Sequence, residues 1–267
     1  MIDIKAIRGF SEDIFSPLAV IGTPLHFTCL VNIICMKWGT KFGPEYVNRL
    51  RSMVARHLSL QHRFVCFTDN SEGIGSGVEI LPLPIMDLAD DKRGGWRKLS
   101  TFTSPLENLV GPTLFLDVDL VIVDSIDCFF DHPGKFCIIH DWARPWRITG
   151  NSSVYRFQAN AHPDIYAKFL ATSHKVISSD SSDQVFLSRE MHRQGLLTYW
   201  PKDWCVSFKH SCLPIFPMNL LRVPQIPNGA RIIVFHGVPN PEEALAGKGK
   251  NCFRKAKPTP WVAIHWQ

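Results

Sequence analysis

Two aspartates close an apolar run, Leu114-Phe-Leu-Asp117-Val-Asp119-Leu-Val-Ile-Val. Carboxylates set among such neighbours are costly to desolvate unless a cation compensates them. In an extended strand, residues i and i+2 share a face, so both carboxylates can be directed at one ion. Open α/β sheets bind their ligands at the carboxyl ends of strands. A fitting guest there is a divalent cation bridging the two phosphates of a nucleoside diphosphate. A turn pair capping a loop is the plainer reading of the same residues.

Ile232-Ile-Val-Phe-His236-Gly237 repeats the design: an apolar strand ends in a potential ligand, and glycine lets the backbone turn away. A lone histidine is commonly a satisfied core residue, but beside an acidic pair His236 becomes a candidate third ligand. Imidazole combined with carboxylate and phosphate oxygens favours Mn²⁺ over Mg²⁺, with Mg²⁺ still open. Three rival chemistries share parts of this pattern. Haloacid-dehalogenase-type phosphatases carry Asp-x-Asp at a strand end, but on an early strand followed by Thr or Val. Here three predicted strands come first and Leu120 follows. A nucleotidyltransferase would want a Gly-rich phosphate loop after its first strand, which Lys37-Trp-Gly-Thr-Lys41 offers thinly. A non-catalytic carbohydrate-binding module would use Trp142, Trp146, Trp200 and Trp204 as sugar platforms, although packing is the simpler role for most of them.

The elements that must position these residues follow from periodicity. Phe27–Met36 reads as a buried strand, and Pro44 opens a helix on which Tyr46, Leu50, Met53, Val54 and Leu58 recur at helical spacing. Strands are predicted over 62–68, 78–83 and 112–116, with a helix over 95–102. This β-α-β-β-α-β opening predicts an α/β fold with a mainly parallel central sheet covered by helices. Further on, strands are expected at 136–140, 153–157 and 231–235, and helices at 163–171 and 183–193. No repeat or linker divides the chain. It reads as one domain, with a nucleotide-binding lobe over about 25–124 and an acceptor lobe carrying the last metal ligand over 125–267.

Composition narrows the classes of function. Apolar residues make up 45 % and charged residues 20 %, enough to bury a core and too apolar for a disordered chain. The balance of 29 basic and 24 acidic residues leaves a charge of +5, far from the dense stripe of a nucleic-acid binder. It suits anionic small molecules or a loose contact with an anionic membrane surface. No apolar stretch approaches the roughly 20 residues of a membrane span. The eight cysteines include no Cys-x-x-Cys pair and mostly sit in apolar runs. They read as buried thiols of a cytoplasmic protein, with the even count leaving disulfides as the alternative.

Eight stretches, taken in order, resemble the GT-A nucleotide-sugar glycosyltransferases, especially small bacterial-type members related to the glycogenin and lipopolysaccharide galactosyltransferase group. They are Trp38-Gly-Thr-Lys-Phe-Gly-Pro-Glu-Tyr-Val, Phe67-Thr-Asp69, Gly95-Trp-Arg-Lys98-Leu and Phe115-Leu-Asp117-Val-Asp119. Asn151-Ser-Ser-Val, Asp183-Gln184-Val-Phe-Leu, Phe235-His236-Gly-Val-Pro-Asn-Pro and Trp261-Val-Ala-Ile-His-Trp266 complete the series. The resemblance runs from about residue 25 to 266 and implies a GT-A-like fold. It implies transfer of a sugar from a nucleoside-diphosphate donor, foremost a UDP-sugar, to a hydroxyl of a glycan, lipid-linked or other acceptor. It also implies that Asp117, Asp119 and His236 hold Mn²⁺ or Mg²⁺. Trp38, Asp69, Lys98 and Asn151 would contact the donor, and Asp183 and Gln184 would line the transfer site. Plainer roles exist for each: a packing aromatic, turn caps, a solvated helix face, and a helix N-terminus at Ser182-Asp183. The sequence departs from the related galactosyltransferases in one place. Their ligand histidine begins His-x-x-Gly-x-x-Lys-Pro-Trp, and no lysine follows His236 at that spacing. That leaves two alternatives: Lys248 or Lys250 on the basic tail takes over, or the leaving group depends more on the metal alone.

Overall fold

The computed structural model describes residues 30–86, 94–178 and 182–267. Strand β1 spans Val31–Lys37, so the residues expected to begin it, 27–29, lie outside the described part. Helix α1 (Pro44–His57) follows, then β2 (His62–Thr68), β3 (Glu79–Pro82) and a 3-10 helix (Gly94–Phe102). β4 (Pro112–Leu116), β5 (Leu120–Ile122), the short α2 (Cys128–Asp131), β6 (Phe136–His140) and β7 (Gly150–Gln158) come next. Helices α3 (Pro163–Ser178) and α4 (Asp183–Arg193) lead to β8 (Leu197–Tyr199), β9 (Cys205–Ser207) and β10 (Ile232–Val234). Two short helices, α5 (Pro241–Leu245) and α6 (Pro260–His265), close the chain.

Seven strands form the central sheet in the order β3-β2-β1-β4-β7-β6-β8. The first four are mutually parallel, β7 runs antiparallel to both neighbours, and β8 is parallel to β6. The mainly parallel sheet expected from the sequence is therefore present, with β7 as the inserted exception. Every residue of β1 is buried because both of its faces are covered. Side chains alternate between two apolar layers, as a period of two demands. Ile33, Cys35, Leu114 and Leu116 pack with α1 and with a second, three-stranded sheet β5-β10-β9. Ile34, Met36 and Phe115 face the 3-10 helix, α3 and α4 through Trp96, Phe169 and Phe186.

The segment expected to be helical over 95–102 is a 3-10 helix throughout, long for that conformation. Two of its hydroxyls bond backward by three residues, Ser100 Oγ to the Arg97 carbonyl (2.7 Å) and Thr101 Oγ1 to the Lys98 carbonyl (2.8 Å). These side chains compete for the carbonyls that an α-helix would use. Thr101 Oγ1 also meets the buried Tyr155 hydroxyl at 3.0 Å, tying the helix to β7. The described cysteines are free thiols, most of them buried.

Candidate active site

The chain runs β1, β2, β3 outward on one side of β1, then returns to lay β4 on the other side. This reversal opens a crevice beyond the carboxyl ends of β1 and β4, the switch point at which such sheets take ligands. A cleft of about 250 Å³ lies there, lined by Lys37, Trp38, Lys41 and Phe42 after β1 and by Asp117, Val118 and Asp119 after β4, with Gly95 and Lys98 across from them.

Asp117 and Asp119 reach this cleft by a different route from the one extended geometry suggests. β4 ends at Leu116, and Val118 and Asp119 form a turn that passes the chain into β5 of the second sheet. Val118 packs into the layer beneath α1 while bordering the cleft that both aspartates line. The Asp117 amide is anchored by the Ser153 carbonyl of β7 at 2.9 Å.

Lys98 is the centre of the polar network. Its Nζ lies 2.7 Å from Asp117 Oδ1 and 2.8 Å from Oδ2, and 3.3 Å from the Ser152 carbonyl. Ser152 Oγ donates in turn to Asp183 Oδ2 at 2.7 Å, and its amide lies 3.5 Å from Gln184 Oε1. Burial alone would lower the Lys98 pKa, but Asp117, Asp183 and Asp119 outweigh it and hold the ammonium above the ordinary lysine range. Burial, with the Asp117 charge added, pushes the Asp119 carboxyl up to about 7, against Lys98, Lys41 and a hydrogen bond from its own backbone amide. Burial likewise raises Asp183, against Lys98 and Ser152. Lys98 is bonded to Asp117, and the ionised form of Asp119 is left undercompensated, which is why its carboxyl holds its proton so far up the pH scale. A hard divalent cation with oxygen ligands fits that donor set.

The remaining residues singled out in the sequence fall into two groups. Asp69 Oδ2 accepts from the Gly39 amide at 2.9 Å, fixing the loop that carries Trp38, where Gly39 turns at φ +60°. Arg97 stands 5.9 Å from the Trp38 ring. Asn151 Oδ1 accepts from the Ser153 amide at 3.0 Å, at the bulge between β6 and β7, and does not line the cleft. His236 follows β10, whose antiparallel ladder with β5 ends with Val234 opposite Leu120, so it leaves the small sheet at the same end as Asp119. Its ring points elsewhere: Nε2 is hydrogen-bonded to Ser207 Oγ at 2.7 Å, and the imidazole stacks between Trp142 (5.6 Å) and His210 (5.7 Å). Burial, then Lys209 and His210, push its pKa down to about 4, so the ring is neutral at physiological pH. Among the described residues no cluster of three or more His, Cys, Asp or Glu is assembled to hold a metal ion. Lys248 and Lys250 are exposed and lie outside the cleft; the Lys248 amide closes α5 on the Glu243 carbonyl at 2.7 Å.

Three participants were not read from the sequence as site residues. Ser152 lies inside the quoted Asn151-Ser-Ser stretch, and only its junction between Lys98 and Asp183 distinguishes it. Ser207, the partner of His236, had no sequence signal. Lys41 had one, since it closes the thin phosphate-loop pattern Lys37-Trp-Gly-Thr-Lys41. Of the tryptophans considered as sugar platforms, Trp200 is buried, Trp142 and Trp204 are partly buried and Trp146 is 77 % exposed.

This seven-stranded mixed sheet flanked by helices is consistent with a GT-A-like fold. The chain is similar in fold to the galactosyltransferase LgtC, solved in complex with donor and acceptor sugar analogs, at a TM-score of 0.53 and 12 % identity. The match covers 79 % of this chain and 88 % of that one. No family model matches the sequence, and no curated protein matches it. Among the described residues no helix is long and apolar enough to cross a membrane.

Proposed function

We propose that this protein is a metal-dependent glycosyltransferase that moves a sugar from a nucleoside-diphosphate donor, a UDP-sugar foremost, to an acceptor hydroxyl. The observation that carries this reading is the pair Asp117 and Asp119 at the switch-point cleft, with Lys98 bonded to the first and the ionised form of the second left undercompensated. The likeness to LgtC, a galactosyltransferase bound to donor and acceptor sugar analogs, supports the same reading.

Asp117 and Asp119 would hold Mn²⁺ or Mg²⁺, and His236 is available as a neutral imidazole once its bond to Ser207 is given up. Such an ion supplies positive charge where negative charge builds on the departing diphosphate. Lys98 keeps its proton among three carboxylates, so it remains cationic and adds charge of the same sign at the cleft wall. Trp38, held by the Asp69-anchored loop, offers a flat surface to the base. Asp183 and the Gln184 amide carbonyl, positioned through Ser152, would face the cationic sugar that forms as the anomeric bond opens.

Calorimetry with UDP, with and without Mn²⁺, tests this directly. UDP binding is expected to need the metal and to fall at least tenfold in Asp119→Ala. Metal-indifferent binding, or binding unchanged by that substitution, overturns the proposal. A hydrolysis screen over UDP-, GDP- and ADP-sugars should release free sugar and nucleoside diphosphate. Nucleoside monophosphate and sugar 1-phosphate instead would mark a diphosphate hydrolase, and inorganic phosphate released from a simple sugar phosphate would mark a phosphatase.

A further inference from the structure

One face of the molecule combines exposed apolar side chains with positive charge. Between the π-helical turn that follows β9 (Phe208–Cys212) and β10, the chain makes a long excursion that exposes Ile215 (87 %), Phe216, Leu220, Leu221 (72 %) and Val223. Phe253, 60 % exposed, comes from the basic tail and lies beside Phe216 with ring centroids 4.7 Å apart. The two segments are joined rigidly. The buried Asn219 side chain donates to the Cys252 and Lys255 carbonyls, each at 2.8 Å, and Arg254 donates to the Lys209 carbonyl at 3.2 Å. Apolar side chains held out by such buried staples are a built surface rather than a frayed loop.

The charges that these two segments themselves carry have one sign. Residues 208–225 and 246–267 contain no aspartate or glutamate. Arg222 interrupts the apolar excursion, and Lys248, Lys250, Lys255 and Lys257 are all exposed along the tail. An apolar patch on a soluble domain marks an interaction site. A partner protein or second copy would need acidic groups to meet this rim, whereas an anionic bilayer supplies both the apolar layer and the negative surface. Interfacial binding grows with buried apolar area and with attraction to anionic lipids. We propose that residues 213–223 and 252–257 form a docking surface for the headgroup layer of an anionic membrane. The inference does not depend on the glycosyl-transfer reading. It does have a spatial consequence: Lys209, bonded to Arg254 through its carbonyl, has its Nζ 3.4 Å from where a side chain on Gly237 would begin, next to His236. The docking face therefore adjoins the His236 strand end.

Co-sedimentation of the full chain with vesicles tests this, using phosphatidylcholine alone and phosphatidylcholine with roughly one-third phosphatidylserine. Binding to the mixed vesicles alone is expected, weakening as salt is raised. Each basic residue near the surface contributes about fivefold. Lys255→Glu with Lys257→Glu should therefore lower partitioning by more than tenfold. Ile215→Ser with Leu221→Ser should lower it as well, with far-UV circular dichroism and urea midpoint unchanged for both pairs. Equal binding to both vesicle types, or none to either, overturns the proposal. So does concentration-dependent dimerisation abolished by the serine pair without vesicle binding, which would make the face an interface between copies.

Discussion

Replacing Lys98 by methionine keeps the length of the side chain and, among the described residues, removes the only cation bonded to Asp117. The pair is largely enclosed, with side chains 13 % and 21 % exposed for Lys98 and Asp117. Breaking a buried pair from one side costs roughly 3–5 kcal/mol, because the remaining charge is left uncompensated. The open side of the cleft lets water reach Asp117, so the lower end applies, about 3 kcal/mol. Asp117→Asn, which strands the ammonium instead, should cost about 2–3 kcal/mol by the same reasoning, since Asp183 and Asp119 still attract it. The double variant removes both charges together and should lose about 3 kcal/mol rather than the sum, a coupling of roughly 2–3 kcal/mol. Urea unfolding measures all four corners, provided the slope with denaturant is constant across them. Single variants within about 0.5 kcal/mol of the parent, or an additive cycle, would refute the view that this pair is a tightly coupled unit.

Ser152→Ala removes the 2.7 Å bond that orients Asp183, and should lower donor turnover about tenfold while leaving UDP affinity within about twofold. Steady-state kinetics and calorimetry separate the two, and loss of UDP affinity alone would move Ser152 to the donor side. Arg156 is buried and donates to the Phe129, Phe130 and Gly134 carbonyls at 2.6, 3.1 and 2.7 Å. Arg156→Met strands these acceptors and should cost roughly 3–5 kcal/mol in urea unfolding; a loss under about 1 kcal/mol would contradict this. The Glu190 side chain is only 5 % exposed, and burial would raise its pKa, but Lys168 at 2.6 Å and Arg193 at 2.9 Å hold it below the ordinary glutamate value. A depressed carboxylate stabilises the fold above its unfolded pKa, near 4.3, and that contribution is lost as pH falls through the folded pKa. The fall in melting temperature below about pH 4 should therefore be shallower in Glu190→Gln than in the parent, and parallel curves would contradict the assignment.

Much of the frame was legible in the chain because burial leaves a periodic trace. The apolar runs of β1, β2 and β4 and the Pro44 start of α1 are local patterns, and the structure reproduces each of them. The acidic pair was legible for a related reason, since charge inside an apolar run is too costly to be incidental. Other features had no local trace. The 3-10 form of the helix carrying Lys98 depends on hydroxyls that take its carbonyls and on the Tyr155 contact from β7. The antiparallel course of β7 is a matter of long-range pairing, and so is the meeting of Lys98, Ser152 and Asp183 from three separate elements. His236 marks the limit of pattern reading most clearly. Its type and its strand-end position pointed to a ligand, and the chain does bring it to the end of the small sheet where Asp119 lies. Its ring, however, is held by Ser207 and stacked between Trp142 and His210, because side-chain direction follows from the packing around it. Sequence alone determined which apolar runs are buried and marked the carboxylate pair as a candidate cation site. Tertiary structure decided which charges meet, since hydrogen bonds and ion pairs act over about 3 Å and only the folded chain brings distant residues that close.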